Sequence, residues 1–332
     1  MEKDLQPLYE FTANRTQTTR ILVVGDVMLD MYYYGDVTRI SPEAPVPVTH
    51  VTSIKETLGG AANVAHNLAL MGAKTMIAGY VGDDYHCQSL MDKFTSRGID
   101  YKGIIHTEGP TTTKLRVIGG HQQMLRLDFE ETDAVEEVYG VRLQNFIEQK
   151  LDEGVSAVII SDYAKGACTE ATCQAVISAC HERQIPVVVD PKGDNWDKYA
   201  GADYITPNVK ELNEVLDEKI RNRDDEVEKA ARQMMKKYHF GSVLATRSEC
   251  GVSLVTPEGT AHIPTKSQEV FDVSGAGDTV IAIFALGIAG GLSPAQAAFM
   301  ANLAASVVVA KVGTYAVSKE ELLAVIKKAM EE

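Results

Sequence analysis

The sequence predicts an α/β protein: a doubly wound, mostly parallel sheet flanked by helices, with a small β-sheet lid. Three observations point there. Short apolar runs recur along the chain, and segments of helical period separate them. Two stretches, 31–58 and 101–129, break that rhythm with β-branched and aromatic residues. A stretch without any charged residue, 279–310, lies near the C-terminal end.

In chain order, residues 1–19 are a polar lead-in without an apolar signal core, ordered only if they dock. Arg20–Gly25 is a short apolar run ending in Gly25-Asp26, as expected of a buried parallel strand whose carboxyl end carries polar groups. Similar runs follow at 75–80, 157–161, 186–190, 204–206 and 242–246. Helical periods lie between most of them, at 61–71, 84–97, 135–151, 170–181 and 226–238. The uncharged stretch contains Gly290-Gly291-Leu292-Ser293-Pro294, so neither half is long enough to span a bilayer. It reads as two buried helices, the second capped by Ser293 with Pro294 in its first turn. These segments assign 20–30, 59–100 and 130–332 to an α/β core, and 31–58 and 101–129 to the lid.

Within the lid, Gly119-Gly120 suggests a hairpin turn. Period-2 alternation then puts Lys114, Arg116, Arg126 and Asp128 on one face. Leu115, Val117, Leu125, Leu127 and Phe129 fall on the other. The lid therefore has a basic face and an apolar face.

Composition narrows the function. The chain of 332 residues carries a formal net charge of −14, which argues against broad nucleic-acid binding. An anionic small molecule would need a local basic cluster, and the lid face offers one. Five cysteines with no C-x-x-C pair read as reduced thiols, which sets the expectation of a cytoplasmic protein with no membrane partner. Cys173 and Cys180, seven apart, read as helix packing.

Three elements carry chemistry. Asp272-Val-Ser-Gly275-Ala276-Gly277-Asp278 precedes the uncharged helix, so unpaired amides and the positive helix end face any anion there. The same pattern also serves a plain helix cap. The helix dipole alone would keep Asp278 ionised. Gly59-Gly60-Ala-Ala-Asn63 opens another helix, and Asp26 and Asp30 follow the first strand. No P-loop and no G-x-G-x-x-G is present.

Together these elements resemble the ribokinase-like family of sugar kinases, which has an early double glycine followed by Asn and a late Asp-x-x-Gly-Ala-Gly-Asp. Four further segments, 39–48, 111–116, 122–128 and 161–166, resemble the bacterial D-glycero-β-D-manno-heptose 7-phosphate kinases of ADP-heptose synthesis for lipopolysaccharide and other surface glycans. In many bacteria that kinase is fused to an adenylyltransferase with an H-x-G-H motif. The chain contains no H-x-G-H, so the resemblance implies the kinase part alone.

The resemblance implies roles residue by residue. Asp278 is the catalytic base, and the amides of Gly275, Ala276 and Gly277 form an anion hole. Asp30, Gly59, Gly60 and Asn63 hold sugar hydroxyls. Asn208 and Glu211 match Asn-x-x-Glu, which organises Mg²⁺ through water; plain surface residues at a helix start are the other reading. Thr246, Gly251 and Asn302 line the ATP site, although Asn302 also suits helix packing. Lys114, Arg116 and Arg126 are candidates for the substrate phosphate, with Lys165 and Lys192 next. ATP and Mg²⁺ are implied cofactors, a monovalent cation is admitted as a further one, and a homodimer through the lid is expected. Rival readings are a kinase for ribose, fructose or a nucleoside, and a sugar-binding regulator without catalysis.

Overall fold

The computed structural model describes residues 5–120, 122–131, 135–265, 270–311 and 313–331. In chain order the elements are α1 (Gln6–Asn14), β1 (Arg20–Gly25), β2 (Val27–Ile40), β3 (Pro47–Gly60), α2 (Ala61–Leu70), β4 (Lys74–Val81) and α3 (Tyr85–Ser96). Then come β5 (Asp100–His106), β6 (Thr113–Gly119), β7 (Gln122–Phe129), α4 (Glu137–Asp152), β8 (Ala157–Ser161), α5 (Glu170–Glu182), β9 (Val187–Asp190) and β10 (Tyr204–Ile205). The rest are α6 (Val209–Val215), α7 (Asp224–Tyr238), β11 (Ser242–Thr246), β12 (Val252–Thr256), β13 (Gly259–Ile263), α8 (Ala276–Ala289), α9 (Pro294–Val308) and α10 (Lys319–Glu331).

The large sheet has the order β13-β12-β11-β10-β9-β8-β1-β4-β5. It is parallel from β11 to β5, and β12 and β13 extend it antiparallel. Alternation along each strand feeds two cores. Ile21, Val23, Ile77 and Ile159 face the layer that holds α2, α8 and α9, while Leu22, Val24, Met76 and Ile160 face the layer of α4, α5 and α7. A strand buried on both sides must be apolar throughout, which is why β1 reads as an unbroken run. Polar groups are confined to the strand ends, and ligands of such sheets bind outside the carboxyl ends.

The uncharged stretch forms α8 and α9, with Ser293 and Gln296 in a capping box and Pro294 in the first turn of α9. Among the described residues no helix is long and apolar enough to cross a membrane. The lead-in docks through Leu8 and Phe11, both buried on α1.

The lid is a four-stranded sheet in the order β3-β2-β6-β7. It differs from the expected lid in two ways. Residues 100–106 are not part of it: β5 pairs in parallel with β4 as the edge of the large sheet. The physical reason is the βαβ crossover through α3, which returns the chain beside β4, where Gly103 packs on Phe146 of α4. The small sheet is also mixed, since β2 runs parallel to β6 and antiparallel to β3. Pairing of Lys114 with Asp128 and of Arg116 with Arg126 puts all four on one face. Asp30 and Tyr32 join that face beside Lys114 and Arg116.

Candidate active site

The site lies where the lid face meets the carboxyl ends of the large sheet. Gly275 is the N-cap of α8 and adopts φ +80°, a backbone conformation that favours glycine. The turn is held from behind by Asp272, whose two oxygens accept the N–H groups of Ser274 and Gly313 at 2.9 Å each. Among the described residues the Gly275 and Gly277 amides have no partner, whereas the Ala276 amide donates to the Val273 carbonyl at 3.2 Å. Two of the three expected anion-hole donors are therefore available, and the third is used within the turn.

Asp278 sits in the first turn of α8, buried. Its Oδ2 accepts from Asn63 Nδ2 at 2.7 Å and its Oδ1 from the Tyr163 hydroxyl at 2.5 Å. Burial pushes its carboxyl up to about 6, opposed by those two hydrogen bonds and by Lys114 and reinforced by Asp30. Asp278 is thus still ionised at neutral pH, as expected, but its carboxyl is raised where the helix dipole alone would lower it. A dipole contribution of about 0.3–1 kcal/mol is smaller than the desolvation of a fully enclosed carboxylate. Above pH 6 the ionised form still dominates.

Asp30 on β2 is buried and accepts from Arg116 Nη1 at 2.7 Å and from the Thr314 hydroxyl at 3.2 Å. Thr314 also meets the Tyr32 hydroxyl at 3.0 Å, which ties the lid to the loop before α10. A Cβ on Gly59 would lie 2.5 Å from Asp30 Oδ2, so Gly59 makes room for that carboxylate. Gly60 is the N-cap of α2, and Asn63 in its first turn reaches across to Asp278.

The basic candidates separate according to their partners. Arg126 is half exposed and grips Asp128 with two bonds, at 2.9 and 2.8 Å. Lys165 pairs with Glu130 at 2.8 Å. Lys192 lies 3.4 Å from Glu211, on the far side of the site from the lid. Among the described residues Lys114 has no hydrogen-bonded carboxylate. Its amine lies 5.3 Å over the Tyr163 ring, and burial lowers its pKa.

Two cavities meet at the signature loop and share Thr246 and Gly277. One, of about 280 Å³, is mostly apolar and lined by Gly251, Val252, Val273, Val280 and Val309, dimensions and chemistry that suit a planar base. Asn302 is also on its wall, but its amide is engaged with the Pro264 carbonyl at 3.0 Å and the Thr265 hydroxyl at 3.4 Å. The other, of about 150 Å³, is acidic and lined by Asp190, Thr206, Asn208 and Glu211. Asn208 and Glu211 form the capping box of α6, with Asn208 as the cap and Glu211 in the first turn. Burial and the facing Glu211 raise the Asp190 carboxyl well above the ordinary carboxylate range. A divalent cation would be held through water by Glu211 and Asn208, with Asp190 facing Glu211 in the same cavity.

Tyr163 and Asp190 are functional candidates that the sequence motifs do not single out. Asp190 was signalled by its place after the apolar run 186–189, as Asp26 follows 20–25. Tyr163 belongs to the 161–166 motif, but nothing in that motif shows where its hydroxyl lands.

Comparisons with known proteins show the family and the fold. A family model described as pfkB family carbohydrate kinase matches residues 18–321. The Bifunctional protein HldE of Methylobacillus flagellatus is 46% identical over 305 residues, 91% of this chain and 62% of that protein. The protein of the same name from Shewanella baltica is 44% identical over 308 residues, 92% and 63% respectively. The chain thus spans a little under two thirds of these relatives. Phosphofructokinase-2 from Escherichia coli in complex with potassium superposes with a TM-score of 0.77 at 18% identity, covering 94% of this chain and 99% of that one. Ribokinase from Thermotoga maritima gives 0.71 at 21% identity, covering 93% and 99%. The fold is ribokinase-like, and the chain belongs to the pfkB family of carbohydrate kinases.

Proposed function

We propose that this carbohydrate kinase phosphorylates the anomeric O1 of D-glycero-β-D-manno-heptose 7-phosphate to the 1,7-bisphosphate, using ATP, in ADP-heptose synthesis. The observation that carries the kinase chemistry is Asp278: a buried carboxylate between the lid face and the loop with free glycine amides. The choice of sugar is supported by the four motif segments and by relatives named HldE over 91–92% of the chain.

In this reading Asp30 and the lid face hold the sugar with O1 toward Asp278. The carboxylate accepts the O1 proton late in transfer, since phosphoryl transfer depends more on positioning and charge neutralisation than on a strong base. The Gly275 and Gly277 amides donate to the oxygens of the phosphoryl group as charge develops there. Glu211 and Asn208 would hold Mg²⁺ through water, and the ion would supply charge neutralisation for the nucleotide phosphates. The apolar cavity takes the adenine. Lys114, which among the described residues has no hydrogen-bonded carboxylate, is the leading contact for substrate phosphate. Arg116 and Arg126 already hold Asp30 and Asp128, and only their remaining N–H groups are left for that phosphate.

Exposed Ile54, Leu125, Leu127 and Phe129 on the outer lid face support pairing of two lids in a homodimer. The testing experiment is Asp278→Asn. Sugar-dependent ADP release should be lost while ATP affinity stays within a few-fold. A variant that keeps more than about half of the wild-type turnover removes Asp278 from the mechanism.

A further inference from the structure

We propose that Tyr163 is a positioning residue for the transfer: its phenol fixes the Asp278 carboxylate in the orientation and ionised form that receives the sugar proton. This rests on the reading of Asp278 as the base. The geometry has three parts. First, Asp278 is held on both oxygens by donors from separate elements, Asn63 of α2 and Tyr163 of the loop after β8. Two donors on two oxygens fix the plane of the carboxylate and leave each oxygen a lone pair for the substrate hydroxyl.

Second, the loop that carries Tyr163 is anchored far beyond what a connection requires. Buried Asp26 accepts the N–H groups of Tyr163 at 2.7 Å, Lys165 at 3.0 Å and Ala167 at 3.0 Å. Asp162 accepts the Ala164 N–H at 2.6 Å and is itself held by the Tyr199 hydroxyl at 2.6 Å and by Lys198. Ala164 takes φ +56°, unusual for a residue with a side chain, and such conformations persist where the surroundings over-determine them.

Third, the phenol remains a donor. Burial, with Asp278 and Asp190 nearby, keeps its proton bound well past the ordinary tyrosine range. The charged groups that face Asp278 are Asp30 from β2 and Lys114 from β6, with Asp190 from β9 beyond. Lys114 rests over the Tyr163 ring, so the ring also supports the cation nearest the base.

The step balances without a new reactant. The sugar oxygen forms its bond to the γ-phosphorus as the bond to the β–γ bridging oxygen breaks. That electron pair leaves on ADP and the sugar proton goes to Asp278. Tyr163 keeps its own proton throughout.

Tyr163→Phe retains the ring and removes only the hydroxyl. Its kcat should fall about tenfold or more, with both KM values within about threefold. The acid limb of its kcat/KM profile should move to higher pH. Site-specific 3-fluorotyrosine at 163, a more acidic donor, should move that limb the opposite way. The ¹³C-carboxyl titration of Asp278, assigned by its loss in Asp278→Asn, should follow both shifts. A structural role for Tyr163 would move none of these titrations. Turnover within twofold of wild type together with an unmoved carboxyl titration overturns the proposal. If Tyr163→Phe fails to fold, the fluorotyrosine protein decides by the same titration. An Asp278→Asn enzyme that still turns over defeats the base reading itself, whereas an inactive Asp278→Asn with an unaffected Tyr163→Phe defeats only the role of Tyr163.

Discussion

Arg116→Ala should destabilise the protein before it affects catalysis, because the guanidinium is the main partner of a buried carboxylate. The side chains of Arg116 and Asp30 are only 18% and 8% exposed and meet at 2.7 Å. Removing one member of a buried pair typically costs about 3–5 kcal/mol, since the other charge is left without compensation. Here the Thr314 hydroxyl still donates to Asp30, and water can enter where the guanidinium was. The lower end, about 3 kcal/mol, is therefore expected. At about 2 °C per kcal/mol, the value for large domains, Tm should drop by about 6 °C. Asp30→Asn should relieve much of this, so the double variant should recover at least about 1 kcal/mol relative to the sum of the singles. Thermal unfolding of the four proteins followed by circular dichroism measures the cycle. A drop under about 2 °C, or strict additivity, would refute the buried pair and return Arg116 to the pool of free phosphate ligands.

Other expected outcomes follow from the same site. The acid limb of kcat/KM should fall near pH 6, because below that value Asp278 is protonated and cannot accept a proton; a profile flat down to pH 5 contradicts the burial assigned to it. Lys114→Met should raise the KM for the sugar phosphate by about tenfold with little change in Tm, since no hydrogen-bonded carboxylate is left behind; equal effects on ATP and sugar phosphate would place the amine elsewhere. Leu127→Asp on the outer lid face should yield a monomer by light scattering, and an unchanged mass would locate any dimer contact elsewhere.

Much of this architecture is legible in the residues. The runs at 20–25, 157–161 and 186–190 are strands because burial on both faces tolerates only apolar side chains. Gly290 to Pro294 divides the uncharged stretch by local rules of turn and cap. The common face of Lys114, Arg116 and Arg126 follows from period 2 and one hairpin. Other features depend on contacts that no local pattern records. Residues 100–106 have the same β-branched character as the lid, and only the crossover through α3 decides which sheet receives them. Arg116 and Asp30 are 86 positions apart, and Tyr163 and Asp278 are 115 apart. Which cations are already paired, and which way the Asp278 carboxyl shifts, emerge only when the lid and the sheet ends are brought together.

ADP release over a panel of ribose, fructose, a nucleoside, unphosphorylated heptose and D-glycero-β-D-manno-heptose 7-phosphate, with ³¹P NMR of the product, decides the substrate. The heptose 7-phosphate should give the highest kcat/KM and a new anomeric phosphate at O1. Equal or better turnover of ribose or fructose, or phosphate appearing at another hydroxyl, would contradict it.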